Sequence, residues 1–300
     1  YANPSLITSR AIARGNGQLG TLGSGNHYVE IQYIEEIFDE RAAEIMGLKK
    51  GEVVCMIHTG SRGLGHQVAT DFINEMERTC YTPNLPDKQL SAAPFHSELG
   101  QRYLRSMAAA ANFAWCNRQV ITHFARKAFQ EVFPEKELHM DLIYDVAHNI
   151  AKIERHTVDG VEREFIVHRK GATRAFGPDR DELPPKYKEI GQPVLIGGSM
   201  GTGSYILVGT EEDVNGSFGS TCHGAGRLWS RTKALHSLTT KQVTSELQAK
   251  GVVIKAANKD TVIEEAPETY KDVDQVIEAC QRVGVSKKGA KLIPIGVIKG

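Results

Sequence analysis

Neither sign of charge is in excess: 36 Lys and Arg balance 36 Asp and Glu over 300 residues. A protein that coats nucleic acid through bulk charge is usually basic, so any nucleic-acid contact here has to be local. Cysteine is scarce and scattered, at positions 55, 80, 116, 222 and 280. No Cys-x-x-Cys pair occurs and the number is odd. Both features argue against a disulfide framework and a Cys-rich zinc site, and a reducing compartment fits best. Long apolar runs are missing. The longest are Val53–Ile57 and Leu292–Ile298, the latter broken by Pro294 and Gly296, against the roughly 20 residues of a membrane span. There is no solenoid repeat and no low-complexity tract. Position 1 is not Met and no apolar signal region follows, so an upstream segment is expected. No P-loop and no Gly-x-Gly-x-x-Gly turn after a strand is found.

What is present is an ordinary globular composition, 41% hydrophobic and 24% charged, enough to bury a core without staples. Strands are expected at Asn26–Ile34, Glu52–Ile57, Leu138–Val146, Pro193–Ile196 and Tyr205–Val208. Asp159-Gly160 signals a hairpin between Thr157-Val158 and Phe165–Val167. Helices are expected at 66–78, 98–118, 119–131, 226–235, 240–250 and 271–283. The stretches 81–96, with Pro83, Pro86 and Pro94, and 177–191 read as loops. Hairpins mixed with helices, without regular β-α-β alternation, predict an α+β fold and show no sharp domain boundary.

Glycine and histidine cluster together. The segments are Gly23-Ser-Gly-Asn-His27, His58-Thr-Gly-Ser-Arg-Gly-Leu-Gly65, Gly197-Gly-Ser-Met-Gly-Thr-Gly203 and His223-Gly-Ala-Gly-Arg227. Glycine lets backbone N–H groups approach a ligand and allows positive φ, which suits phosphate binding. Taken singly, each turn reads as a tight connection; four, three of them beside histidines, favour a site. His27, His58, His148 and His223 all sit at strand ends or Gly-rich turns, where a scaffold presents side chains to a shared site. Neutral imidazole is a common metal ligand. A lone histidine would read as a core or surface residue, and His66, His96, His123, His139, His156, His168 and His236 are so read. Arg227 and Arg231 are four apart and on a helix would share a face starting near His223. That places an anion site at a helix N-terminus, weighed evenly against a solvated basic face.

Eight motifs in order then carry a resemblance. They are Gly-Asn-His-Tyr-Val-Glu30, His-Thr-Gly-Ser-Arg-Gly-Leu-Gly-His-Gln-Val68, Asp-Val-Ala-His-Asn149, His-Arg-Lys-Gly-Ala-Thr-Arg174, Gly-Ser-Met-Gly-Thr-Gly-Ser204, Cys-His-Gly-Ala-Gly-Arg227, Glu-Glu-Ala-Pro-Glu-Thr-Tyr-Lys271 and Val-Ile-Lys-Gly300. From about Gly20 to the end the chain resembles the RtcB family of RNA-splicing ligases, closer in its Gly191–Gly198 segment to eukaryotic members. The resemblance implies one catalytic domain over residues 1–300, with mixed sheets and flanking helices around a central metal and nucleotide pocket. It implies a ligase dependent on GTP and on Mn²⁺, with two metal ions. RNA ends carrying a 3′-phosphate or 2′,3′-cyclic phosphate would be joined to 5′-hydroxyl ends, in tRNA splicing.

By motif position, His223 is the nucleophile that becomes guanylylated, and His27, His58 and His148 ligate manganese. Asn26, Glu30, Asn149, Gly197, Gly198, Ser199, Met200, Ser204, Gly224, Ala225, Gly226 and Lys299 line the guanylate site. Arg62, Arg227 and Arg231 are candidate contacts for RNA phosphates. The residue types suit the chemistry, since attack on the α-phosphate needs an unprotonated imidazole and the triphosphate charge must be neutralised. Without the resemblance Lys299 reads as a disordered terminal lysine. The implied partners are tRNA exon halves or another cleaved RNA, an archease-type activator and other subunits of a tRNA ligase complex, with no membrane, in nucleus and cytoplasm.

One departure stands out. Members carry an Asp-x-x-Cys metal-ligand segment upstream of Gly-Asn-His, and the first 25 residues here contain neither Asp nor Cys. The expectation is a C-terminal portion of a longer protein. A non-catalytic scaffold subunit of an RNA-processing complex is the rival of another class. A binuclear metallophosphoesterase, which shares Gly-Asn-His, would need an upstream Asp-x-His pair and a Gly-Asp dyad, and both are missing.

Overall fold

A computed structural model describes residues 1–79, 84–211 and 216–300. Cys80 and Pro83 lie outside the described residues. In chain order the first elements are α1 (Ser9–Gly15), β1 (Tyr28–Ile37), α2 (Glu40–Met46), β2 (Val53–His58), α3 (Arg62–Thr79) and α4 (Glu98–Val132). There follow β3 (Asn149–Val158), β4 (Val161–Lys170), β5 (Ala172–Arg174), β6 (Pro193–Gly197), β7 (Ser204–Val208) and β8 (Ser220–Cys222). The chain closes with α5 (Arg231–Ser237), α6 (Thr240–Ala249), β9 (Val253–Ala256), α7 (Lys259–Glu264), α8 (Val273–Arg282) and β10 (Lys287–Lys299). The fold is α+β, as the mixed pattern predicts.

The chain divides into two compact units, one of residues 1–23 and 57–140, the other of residues 24–56 and 141–300. The first is helical. Ala11, Val68, Phe72, Met76, Leu99 and Ala110 bury one face each of α1, α3 and α4 against one another. Helix α3 begins at Arg62, so Gly63 and Gly65 lie inside its first turn and not in a loop before a helix at 66, as expected from sequence. Close packing explains the glycines: a Cβ at 63 would lie 2.8 Å from the Arg14 carbonyl oxygen, and one at 65 would lie 2.0 Å from Ser61 Oγ. The Gly63 N–H, an orphan donor of that first turn, reaches Gln18 Oε1 at 2.8 Å. The two helices expected over 98–118 and 119–131 are one continuous helix, α4. Ser97 caps its start, and no Gly or Pro follows Gly100 until Pro134.

The second unit is built on a sheet in the order β2-β1-β10-β7-β6, with β9 parallel to β10. The last strand of the chain is thus central. It tolerates Pro294 because the register slips there: Ile31 pairs with Gly296 and Gln32 with Pro294, leaving Ile295 bulged. Ile34, Met46, Met56, Ile206, Val208 and Leu292 pack beneath one part of the sheet. Val194, Ile196, Leu207, Val273 and Ile277 fill a second cluster. The Asp159-Gly160 hairpin forms as expected, pairing Asn149 with Lys170 through to Val158 with Val161.

The strand expected over Leu138–Val146 does not form. Its carbonyls are taken by side chains: Met140 O by the Arg126 guanidinium at 2.6 and 2.9 Å, and Ile143 O by the Tyr187 hydroxyl. The stretch 177–191 is not wholly an exposed loop either, since Leu183 and Tyr187 are buried. The helix expected at 226–235 starts only at Arg231, after the Ser230 cap. Gly226 turns to φ +77°, and the Leu228 and Trp229 N–H groups go to Thr269 O, at 2.7 and 3.2 Å. His223 is therefore not at a helix N-terminus, and Arg227 and Arg231 do not share a helix face.

Candidate functional site

In the sheet unit, β8 ends at Cys222 and delivers His223 beside the start of β3. The His223 ring stacks on that of His148, centroids 4.4 Å apart and 19° from parallel. Burial first, then His223 and more weakly His27, hold His148 down to about 4. The Asn149 side chain opposes this through a hydrogen bond to it. Burial, with Lys170 nearby, holds His223 below the ordinary histidine value. Both imidazoles are therefore neutral near pH 7, each with a free-base nitrogen. Gly171 adopts φ +70°, and a side chain there would begin 3.5 Å from His223 Nε2.

Glycines frame the neighbouring floor because backbones meet there. Gly197 O accepts Ala225 N–H at 3.0 Å, and Gly197 bridges to Gly224. A Cβ on Gly197 would meet the Tyr28 hydroxyl at 2.6 Å, and one on Gly198 would meet Gly203 O at 2.0 Å. The Ser199 N–H donates to Thr202 Oγ1 at 3.0 Å. Met200 buries its side chain in the core with Val243 and Leu247, so it can offer a ligand only backbone. Gly226 is exposed, while Asn26 and His27 are half-buried in the turn before β1.

Beneath lies a buried polar cluster. Gln32 Nε2 donates to Glu30 Oε1 at 2.5 Å and to Ser204 Oγ at 3.0 Å, while Gln32 Oε1 is buried without a partner among the described residues. Burial pushes Glu30 up to about 7, against the pull of Gln32 and Lys299. Lys299 is 4% exposed and donates from Nζ to Gly25 O at 3.1 Å. Burial draws it down to about 8, with Glu265 and Glu30 opposing. It is an ordered lysine, not a loose terminal one.

The arginines differ. Arg227 is tied to Glu264 O at 2.6 Å, Glu265 at 3.2 Å and Trp229 O at 3.1 Å, and lies over the Tyr270 ring. Arg231 is half-exposed, 3.6 Å from Glu265 and 3.5 Å from Glu264. Glu265 also accepts from the Tyr270 hydroxyl. Gln32, Glu265 and Tyr270 are not among the site residues expected from the sequence. The Glu-Glu-Ala-Pro-Glu-Thr-Tyr-Lys271 motif was the available signal for the last two. His58 and Arg62 belong to the helical unit. There Arg62 adopts φ 53° and its Nε donates to Thr21 Oγ1 at 2.9 Å.

The imidazole donors suit a first-row metal ion, being held neutral. Among the described residues, however, no three His, Cys, Asp or Glu side chains converge as a metal-holding group. The fit is to part of a coordination sphere.

Stacked neutral histidines over a glycine floor, backed by a buried Glu-Lys cluster, define an α+β protein built around one polar, histidine-centred site. The family model for tRNA-splicing ligase RtcB matches residues 1–300, and the chain belongs to that family. It is 53% identical over 303 residues to a tRNA-splicing ligase RtcB of Methanococcus maripaludis, covering 100% of this chain and 63% of the relative. It is 54% identical over 304 residues to that of Aeropyrum pernix, again covering 100% of this chain and 63% of the relative. A Pyrococcus horikoshii relative is 53% identical over 304 residues, which are 100% of this chain and 35% of that protein. The chain thus spans less than two thirds of these relatives.

Proposed function

We propose that the protein is an RNA ligase of tRNA splicing that uses GTP and joins a 3′-phosphate or 2′,3′-cyclic phosphate end to a 5′-hydroxyl. The observation that carries this reading is His223, a half-buried imidazole kept unprotonated and stacked on His148. Its free nitrogen would attack the α-phosphorus of GTP, forming a P–N bond as pyrophosphate leaves. The guanylate would then pass to the RNA 3′-phosphate, regenerating neutral His223, and the 5′-hydroxyl would displace GMP. The glycine floor offers backbone approach to the phosphates. Glu30 and Lys299 supply a buried acceptor and donor for the guanine edge, with Asn26, Ser204 and Asn149 at its margin. Manganese, held in part by His27 and His148, would neutralise the triphosphate charge. Arg62 and Arg231 are the arginines proposed to meet RNA phosphates. Arg227, bound to Glu264 and Glu265, would act by fixing that wall. Cleaved tRNA, an archease-type activator and other ligase-complex subunits are the proposed partners, and nucleus and cytoplasm the proposed locations.

The test is covalent labelling of the full-length protein with α-labelled GTP and Mn²⁺. An acid-labile label absent from His223→Ala supports the reading. No label on the intact protein would overturn it in favour of a non-catalytic scaffold. Label retained in His223→Ala would move the nucleophile elsewhere.

A further inference from the structure

Cys222, the last residue of β8, and Cys280, on α8, place their sulfurs 3.5 Å apart. Both are half-buried free thiols. They are 58 positions apart in sequence, so the sheet unit's own packing brings them together. The two ends of the pair are not equivalent. The neighbouring Cys222 side chain first, then the Thr221 hydroxyl and the Cys222 N–H, draw the Cys280 thiol down to about 6, against burial. Cys222 is pushed up, by Cys280 and by burial, although the Gly224 N–H reaches its sulfur. A thiolate beside a protonated partner thiol is the arrangement of an attacking and a resolving cysteine.

We propose that Cys222 and Cys280 form a reversible disulfide under peroxide, and that this bond regulates the site at His223. The Cys280 thiolate attacks one oxygen of hydrogen peroxide. The O–O bond breaks, hydroxide leaves and takes up a proton as water, and Cys280 becomes a sulfenic acid. The Cys222 sulfur then attacks the Cys280 sulfur, its proton leaving with the displaced hydroxide as a second water. Two thiols lose two electrons to one peroxide, and a dithiol reductant reverses the exchange. Closing the bond draws the sulfurs from 3.5 Å to about 2.05 Å. The pull falls on the residue before His223 and on the sulfur that the Gly224 N–H approaches. The structural half of the proposal stands on the thiol pair alone. The regulatory half rests on the reading of His223 as nucleophile.

The experiment treats reduced full-length protein with hydrogen peroxide, then alkylates it and measures intact mass and non-reducing peptide maps. The expected result is loss of the mass of two hydrogens, a cross-link joining the peptides of Cys222 and Cys280, and its reversal by dithiothreitol. Cys280→Ser and Cys222→Ser should each lack the cross-link. Higher oxides without a cross-link, or a link through Cys55, Cys80 or Cys116 instead, would overturn it; the wild-type map reads this whether or not a variant folds. In the guanylate-labelling assay, reduced wild type and Cys280→Ser should label alike. Peroxide should then cut wild-type labelling by about a hundredfold, as expected for an ångström-scale displacement, and spare Cys280→Ser. Full labelling of cross-linked protein would overturn the regulatory half. An unlabelled reduced wild type would overturn the ligase reading instead, leaving the peptide map to decide the disulfide.

Discussion

The rings of His148 and His223 lie face to face, 4.4 Å between centroids. Two protonated imidazoles could not share that stack: burial and then Lys170 hold His223 below its ordinary value, and burial and then His223 hold down His148. The stack also allows two roles of His148 to be separated. A phenylalanine at 148 preserves the flat ring against His223 but removes its nitrogens. If His148 only props His223, His148→Phe retains guanylate labelling. If His148 is a ligand, labelling falls by about a hundredfold or more, beyond what loss of an outer-shell partner costs. The ligand outcome is expected, with the thermal midpoint of the metal-free protein little changed. Initial labelling rates of the two full-length proteins decide it.

Glu30 gives the stability a pH dependence opposite to that of most carboxylates. Its folded value is raised from 4.5 to about 7 by burial. The folded state therefore holds this proton more tightly than the unfolded chain does. Its contribution is fully present below the unfolded value and is lost as pH rises through about 7. At 1.36 kcal/mol per unit, the loss is at most about 3 kcal/mol. Glu30→Gln keeps the amide contact from Gln32 and cannot ionise. The difference in unfolding free energy, wild type minus variant, should fall between pH 4.5 and 7. A flat difference in urea titrations across that window would sink this account of Glu30.

How legible was this in the sequence? The strand after His27, the strand ending at His58 and the hairpin at Asp159-Gly160 were, because alternation and turn chemistry are local; the strand expected before His148 was not, since it does not form. The roles of Lys299 and Gln32 were not. Lys299 becomes buried only because the final strand takes the centre of the sheet, against β1 some 260 residues earlier, as in the pairing of Val29 with Ile298. The false helix start at 226 has the same origin. Gly-Ala-Gly-Arg-Leu-Trp carries no local veto on a helix, but the Leu228 and Trp229 N–H groups find Thr269. The break expected in α4 near 118 had no helix-ending residue behind it, since neither Gly nor Pro occurs between Gly100 and Pro134.

Glycines of the site are required for different reasons, and alanine substitution separates them. At Gly226 a Cβ meets nothing within 4 Å, so the cost is that of φ +77°, about 1–2 kcal/mol. At Gly198 a Cβ would lie 2.0 Å from the Gly203 carbonyl, a backbone atom that cannot rotate away. Gly198→Ala should cost about 3 kcal/mol or more and open the 198–203 turn. Urea midpoints of the two variants should differ in that order. Equal midpoints would show that the turn at 198–203 relaxes freely.

Asn117 holds the helical unit's loops together from within α4. It is fully buried, 0% exposed. Its Oδ1 accepts from the Gly20 and Thr21 N–H groups at 2.7 and 3.1 Å. Its Nδ2 donates to Thr21 O at 3.0 Å and to Gly60 O at 3.1 Å. The loop it clamps carries Thr21, whose hydroxyl accepts from Arg62 Nε. Asn117→Ala strands buried donors and acceptors at once, which should cost about 3–4 kcal/mol at roughly 1 kcal/mol per bond. Asn117→Asp should be worse near neutral pH. It can still accept from the two N–H groups, but it replaces an N–H donor by a charged oxygen facing two carbonyls. Acidification should then favour Asp over Ala, since a protonated carboxyl can donate one of the lost bonds. Unfolding midpoints at pH 4 and 7 test the sign of that crossover, and protease cleavage within residues 16–23 in both variants would locate the released loop.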